Sequence, residues 1–450
     1  MRSKIVLFSV AASTVLAACQ GTSCPESLTD PRCKLIFVAQ PDTYIRGKDQ
    51  FIKVSVQRRS GDEDITAKLL QKESSYDLTA SKPTGHDYQL NLPPAMSLFG
   101  TLRLGDLTIS LSQGGRDADP KTIHLTQPIN YNLPIVLTSS YVRKDDFSLV
   151  TTLNLANYTL YGLGVGTLYG NGDFRKVRRF ELNMMGSLSE LTSSDFVSGT
   201  RSSTAQIGTA TSTVYLSQLP ATSNNNIFRC PAQREPVAMC TDSFWSLPTT
   251  TAVMSVTPDG ARMVLSDKTG MLSWGKLPMS VPASWYSVGT TDPESSTAAG
   301  VRLAVTDLNG DKLSDLIAVW LSGGQQQVRA FLATTDGFAK DDALSMQLSA
   351  AIGQTSITAL AAADVDNDGF GDVVIAQGQK LTVLQSQLDV FVPAWSAMVA
   401  PAGNTTINAI AVGRLDATST PDKTLDIVTA SNSGYNPDQN TLYLHAFRPQ

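Results

Sequence analysis

AAADVDNDGFGDVVIA, residues 361–376, sets Asp364, Asp366, Asp368 and Asp372 within nine positions and follows them at once with an apolar, β-branched run. Four like charges packed this closely repel one another. Either a cation offsets that repulsion, or the loop is an acidic turn bathed in solvent. The spacing favours the cation. Asp364, Asp366, Asp368 and Asp372 occupy positions 1, 3, 5 and 9, and Phe370 occupies position 7. Alternate residues of a tight loop can face one point, and calcium, a hard cation, takes six to eight oxygens there. Position 7 would offer its backbone carbonyl, so an aromatic side chain is acceptable. Gly369 at position 6 permits the positive φ of a sharp turn. The pattern predicts a calcium loop with Asp364, Asp366, Asp368, Phe370 and Asp372 as ligands.

The same pattern occurs in AVTDLNGDKLSDLIAVW, which begins at residue 304 and places Asp307, Asn309, Asp311, Leu313 and Asp315 at positions 1, 3, 5, 7 and 9. Here Lys312 stands at position 6, which predicts a strained turn or a weaker site. AVGRLDATSTPDKTLDIVTA, from 411, has Arg414 at the first position and a longer loop that keeps Asp416 and Asp426. SVTPDGARMVLSD, from 255, keeps only Asp259. Two structural Ca²⁺ sites are therefore expected, the one at 364 being the better. The loops start near 257, 307, 364 and 414, at intervals of 50, 57 and 50. VRAFLATTDGF (328–338) and VGTLYGNGDF (165–174) supply a second recurring element, a strand that ends in a glycine–aspartate turn capped by Phe. A strand-built repeat of about fifty residues predicts a β-propeller, each repeat forming one four-stranded blade. Residues 135–450 leave room for about six blades, or seven if some are short.

The EF-hand is the rival for such loops. It needs an acidic residue at position 12 and helices on both sides. Position 12 is Ala318 in one loop and Ile375 in the other, and the exits LIAVW and VVIA read as buried strands. The loops are instead similar to those of FG-GAP, or VCBS-type, repeats of integrin-α-like propellers. That resemblance implies a loop joining adjacent strands of a blade and holding Ca²⁺ as a structural ion. It is complete in two loops and fainter over roughly 250–450.

Upstream, residues 35–130 carry short alternating runs such as FIKVSVQR, ITAKLLQ and LTISLSQ, separated by Gly, Pro and Asp turns. Six or seven strands in about a hundred residues predict an all-β, immunoglobulin-like sandwich. PINYNLP (128–134) reads as a linker. No long segment sustains a helical period. Residues 192–226 are rich in Ser and Thr and read as a degenerate blade or an insertion.

The first residues read as a targeting segment. Arg2 and Lys4 precede fourteen mostly apolar residues, too few to span a membrane, where ~20 are needed. LAAC, Leu16–Cys19, resembles the bacterial lipobox. That resemblance implies removal of residues 1–18, lipid on Cys19, a tether over 19–34 and, with Gln20 next, the outer membrane. Cleavage reduces 35 basic residues to 33 against 40 acidic ones, a formal charge of −7. Cys24, Cys33, Cys230 and Cys240 allow three connectivities; an oxidising compartment and sequence distance favour the local disulfides Cys24–Cys33 and Cys230–Cys240, and four free thiols are the alternative.

There is no basic patch with interleaved aromatics, so nucleic acid is not an expected partner. His86, His124 and His445 belong to no catalytic motif, and there is no phosphate-binding glycine loop. The expectation is a non-enzymatic, lipid-anchored envelope protein for binding or adhesion, with a protein or glycan partner. The alternatives are a structural subunit of an envelope complex, or a propeller-based polysaccharide lyase or hydrolase.

Overall fold

The computed structural model describes the chain from Phe37. Up to Ser246 the described residues are strands and a few connections, including all of 103–113 and 116–139. From 251 they comprise the chain apart from 268–269, 278–284, 291–298, 389, 400–405, 416–423 and 433–441. The described residues are predominantly β-strand and divide into two units.

The first unit draws on residues up to Tyr44, Asp49–Pro93 and Asp106–His124. Its strands pair antiparallel. Ile65–Gln71 buries every second side chain, Ile65, Ala67, Leu69 and Gln71, which is the two-residue period of a strand with one inward face. It pairs with Gly105–Gln113, whose Leu107, Ile109 and Leu111 are also buried. Ser74–Thr84 pairs first with Ile65–Gln71 (Ala67 opposite Leu78) and then with Asp87–Asn91 (Thr79 opposite Asn91), so one strand passes from one ladder into another.

The second unit comprises Ile45–Lys48, Pro94–Gly105 and Leu125–Gln450. Among its described residues are six four-stranded antiparallel sheets. Five are formed in chain order by residues 149–191, 206–246, 251–290, 299–341 and 359–398. The sixth joins Thr406–Gly413, Asp426–Asn432 and Leu442–Phe447 to Ile135–Ser139 from the start of the unit. The first strands of these sheets touch one another in sequence, and Thr406–Gly413 touches Leu149–Ala156, which closes the cycle.

The core lies between successive sheets. Val319, Val328 and Ala330 of the 299–341 sheet pack with Val373, Ile375 and Leu384 of the 359–398 sheet. Ala376, Leu381 and Val383 of that sheet pack on Ile407, Ile410 and Ile427 of the last. Ala409, Val428 and Leu444 of the last sheet pack on Leu153 and Leu160 of the first. A strand sandwiched on both faces needs a continuous apolar run. DLIAVW, Asp315–Trp320, is buried at every position.

Two features depart from the expectations. PINYNLP is not a free connection. Ile129 and Tyr131 are buried in the apolar cluster around Val374 and Phe447, Asn132 N–H bonds to Arg448 O at 2.9 Å, and Tyr131 Oη–H bonds to Leu425 O at 2.9 Å. The residues that end the chain supply partners that a linker reading omits. A helix, Asp342–Ile352, follows the 299–341 sheet. Asp341 caps it by accepting from Leu344 N–H, and Gly353, at φ 75°, ends it.

Candidate metal centre

Both predicted loops join the first two strands of a sheet, and strands flank them on both sides. Ala299–Thr306 leads into the 307 loop and Asp315–Ser322 leaves it; Ala359–Ala363 and Asp372–Gln377 do the same at 364. Thr306 pairs opposite Asp315, and Ala363 opposite Asp372, so the last ligand position begins the returning strand.

In the 364 loop the carboxylates converge. One oxygen from each of Asp364, Asp366 and Asp372 lies within 4.8 Å of the others. Two oxygens bound to one calcium at ~2.4 Å can be no further apart than about that distance, so the spacing suits a shared ion. Asp366, Asp368 and Asp372 are buried. Asp364 shapes the turn by accepting from Asp368 N–H at 2.8 Å and Gly369 N–H at 2.9 Å. Asp368 Oδ1 accepts from Phe370 N–H at 2.8 Å. Gln385 Nε2 donates to Asp366 Oδ2 at 2.6 Å and to Gln127 O at 2.8 Å, and Gln127 Nε2 donates to Asp366 O at 2.5 Å. Phe370 is buried with the Arg103 guanidinium 4.4 Å over its ring. Asn367 and Gly369 take positive φ, 59° and 90°.

Burial holds the Asp372 carboxyl well above the ordinary carboxylate range, and the charges of Asp366, Asp368 and Asp364 push the same way. The hydrogen bond from Ser386 N–H opposes them. The donor set is entirely oxygen and strongly anionic, which fits Ca²⁺ or another hard divalent cation. A cation there would lower the cost of the buried charge and hold the carboxylates ionised.

The 307 loop differs. Asp307 accepts from Gly310, Asp311 and Lys312 N–H, and Asp311 accepts from Leu313 N–H and Asn309 Nδ2. Its carboxylates do not form a group as tight as the one at 364. Asp307, Asn309 and Asp311 are taken up in shaping the turn, and Leu313 is half-buried. Lys312 does occupy positive φ, 68°, the strained conformation its position predicts.

Asp315, Asp372 and Asp426 share a role that the ligand pattern did not reveal. Each is buried at the start of a returning strand, and each accepts the N–H of the residue after the loop's first position: Leu308 at 2.8 Å, Val365 at 3.0 Å and Leu415 at 2.9 Å. The other oxygen binds the third strand or the segment beyond it, through Ala333 N–H, Ser386 N–H and Arg448 Nε. In all three hairpins this aspartate clasps the start of the returning strand to the loop. The recurrence of an aspartate before each β-branched strand was the available signal. Gln127, Gln385 and Arg103 carried none.

The loops also interlock. Gly371 N–H donates to Asp307 O at 2.5 Å, and Leu425 N–H donates to Val365 O at 2.7 Å. Cys19, Cys24, Cys33 and Cys240 lie outside the described residues. Cys230 lies on Asn226–Pro231, but its side chain is not among those described.

No protein-family model and no curated protein matches the chain. Among solved structures it is similar to a protein of unknown function from Bacteroides thetaiotaomicron VPI-5482, at 10% identity and a TM-score of 0.41 over 93% of this chain and 99% of that one. It is also similar to a chain of a mitotic checkpoint complex, at 12% identity and a TM-score of 0.41 over 74% of this chain and 97% of that one.

Proposed function

We propose that the second unit is a six-bladed β-propeller of FG-GAP-like repeats, stabilised by structural Ca²⁺ and serving as a rigid platform for a protein or glycan partner. The convergence of Asp364, Asp366 and Asp372 carries this reading. The six consecutive sheets, joined in a cycle and completed by a strand from the start of the unit, support the blade number. The first unit is read as an immunoglobulin-like sandwich, a reading supported by Ser74–Thr84 passing from one ladder into another. Lipid on Cys19 anchors the protein at the outer membrane, and the pairs Cys24–Cys33 and Cys230–Cys240 close as disulfides. The ion has no catalytic part in this reading. It lowers charge repulsion and stabilises the folded state by mass action, about 2.7 kcal/mol at a hundredfold excess over Kd.

Calorimetry of calcium binding to the full chain tests the centre. Asp366→Ala with Asp368→Ala is expected to remove the tighter binding event. Unchanged stoichiometry in that variant rules out the site at 364. Pull-down of the delipidated chain from envelope extract, with and without chelator, tests the platform. A partner retained equally in chelator would show that the ion does not shape the binding surface.

A further inference from the structure

The segment that completes the last sheet is tied to the acidic loop at 364 before it reaches that sheet. Residues 127–132 lead into Ile135–Ser139, which pairs with Leu442–Phe447, Ile135 opposite Ala446 and Ser139 opposite Leu442. Ile135–Ser139 is the edge strand of its sheet and has one partner strand among the described residues. Its hold depends on that ladder and on whatever fixes the chain just before it.

Gln127 provides the first tie. Its Nε2 donates to Asp366 O at 2.5 Å. Its own carbonyl accepts from Gln385 Nε2 at 2.8 Å, and the same nitrogen donates to Asp366 Oδ2 at 2.6 Å. Gln385 and Asp366 are both buried. Gln385 thus joins a candidate ligand carboxylate to the backbone of residue 127, while Gln127 joins that ligand's backbone to the segment. Tyr131 provides the second tie. Its Oη–H donates to Leu425 O at 2.9 Å, and Leu425 N–H donates to Val365 O, inside the loop, at 2.7 Å. Its ring lies 4.8 Å from that of Trp395, which lies 5.3 Å from Phe447 at the end of the partner strand.

Both ties lead to adjacent loop residues, Val365 and Asp366, whose placement depends on charge. Asp364, Asp366 and Asp372 bring carboxylate oxygens within 4.8 Å of one another. Ionised without a counter-ion they repel, and spreading of the loop relieves them; a divalent cation draws them together. Gln385 cannot follow a spreading loop, because it lies on Lys380–Ser386, an inner strand of its sheet. We propose that the cation at 364 latches the closing strand. With the ion bound, Gln385 and Gln127 hold residues 127–132 to the loop and Ile135–Ser139 stays paired; with it removed, these ties slacken and that strand opens first. The proposal rests on the reading of the 364 loop as a calcium site. Gln127 and Gln385 are positioning residues in it, since neither occupies a ligand position.

Hydrogen exchange of the full chain, in chelator and in calcium at a hundredfold excess over the Kd measured by calorimetry, reads the strands separately. An opening that must release the ion is slowed by 1 + [Ca²⁺]/Kd, at most about a hundredfold here. Exchange over 135–139 is expected to slow at least about tenfold in calcium, as partial coupling to that release gives. Tyr286–Thr290, likewise an edge strand but of the 251–290 sheet, is the control and is expected to slow less than about threefold. Gln127→Ala deletes one hydrogen bond and touches no carboxylate. It is expected to hold calcium affinity within about threefold and to cut the slowing over 135–139 at least about threefold. Asp366→Ala with Asp368→Ala is expected to exchange there at one rate in both conditions. Calcium that binds without slowing 135–139, equal slowing of Tyr286–Thr290, or full slowing kept by Gln127→Ala overturns the latch and leaves the metal centre standing. Absence of calcium binding overturns both.

Discussion

Gly310 and Gly324 provide a matched pair for testing the interlock between neighbouring acidic loops. Both have φ of +80°. A Cβ at Gly324 would meet nothing within 4 Å. A Cβ at Gly310 would lie 2.4 Å from Phe370 Cε1 and 2.9 Å from Cζ. The Phe370 ring has little freedom to retreat, because it is 6% exposed with Arg103 stacked over it. Gly324→Ala therefore carries the backbone cost alone, about 1–2 kcal/mol for an L-residue in the left-handed region. Gly310→Ala carries the same cost and a further ~1–3 kcal/mol of overpacking.

Urea unfolding followed by tryptophan emission measures both. The five tryptophans, Trp245, Trp274, Trp285, Trp320 and Trp395, all fall in the second unit, so the signal reports that unit. The midpoint is expected to fall further for Gly310→Ala, with the slope unchanged. Because Phe370 N–H bonds to Asp368 Oδ1, the displaced ring should also weaken calcium binding at 364, while Gly324→Ala should not. Equal destabilisation by the two substitutions would refute the inference that the 307 loop bears on the 364 loop through this ring.

Three further outcomes are expected. Lys312→Gly should stabilise the fold by about 0.5–1 kcal/mol, since glycine accepts φ of 68° without strain, and thermal unfolding checks it. Asp426→Asn should destabilise by roughly 2–4 kcal/mol whether or not calcium is present, because it uncouples a buried acceptor from Arg448; denaturant unfolding in calcium and in chelator reads this. The third concerns pH. Burial, with Asp311 and Asp307 adding to it, raises the Asp315 carboxyl to about 7 against the opposing N–H groups of Ala333 and Leu308. The folded chain then keeps a proton that the unfolded chain releases near 4, so this contribution is full below about pH 4 and is lost as pH rises through 7. In chelator, melting temperatures between about pH 5 and pH 8 should fall more steeply for the wild type than for Asp315→Asn.

Strand content was legible because two-residue alternation needs only local information, as in ITAKLLQ. Loop positions were legible because the Asp spacing repeats at nearly fixed intervals. The helix Asp342–Ile352 was missed. Its signal, Asp341 as cap, Leu344, Leu348 and Ile352 at four-residue spacing, and Gly353 at the end, is present but only three turns long. The pairing of Ile135–Ser139 with Leu442–Phe447 was not legible, since it joins segments some three hundred residues apart. The same holds for Gln127 and Gln385. They are ordinary polar residues until the fold brings them to Asp366. What the sequence presented as ligand positions also mixed two roles. Asp364 and Asp307 spend hydrogen-bond capacity on the turn, and the position-9 aspartates spend theirs on the hairpin.

That second role explains why the loops can diverge while the sheets stay alike. A buried carboxylate that accepts two donors on different strands fixes hairpin geometry, but its charge must be met somehow. The three repeats meet it differently. At Asp426 the chain supplies its own cation, with Arg448 Nε 3.3 Å from Oδ1. At Asp315, where no basic side chain pairs with the carboxylate among the described residues, two backbone N–H groups and a proton retained up to about pH 7 meet the charge. At Asp372 two backbone N–H groups also act, and burial with the charges of Asp366, Asp368 and Asp364 holds the carboxyl well above its ordinary range; a cation bound there would let the four carboxylates ionise together. Dependence on calcium should then follow the number of carboxylates gathered around each clasp rather than the presence of the clasp. The site at 364 should be the one whose loss is felt, and the repeat at 414, with Arg414 in place of the first ligand, should respond least to calcium.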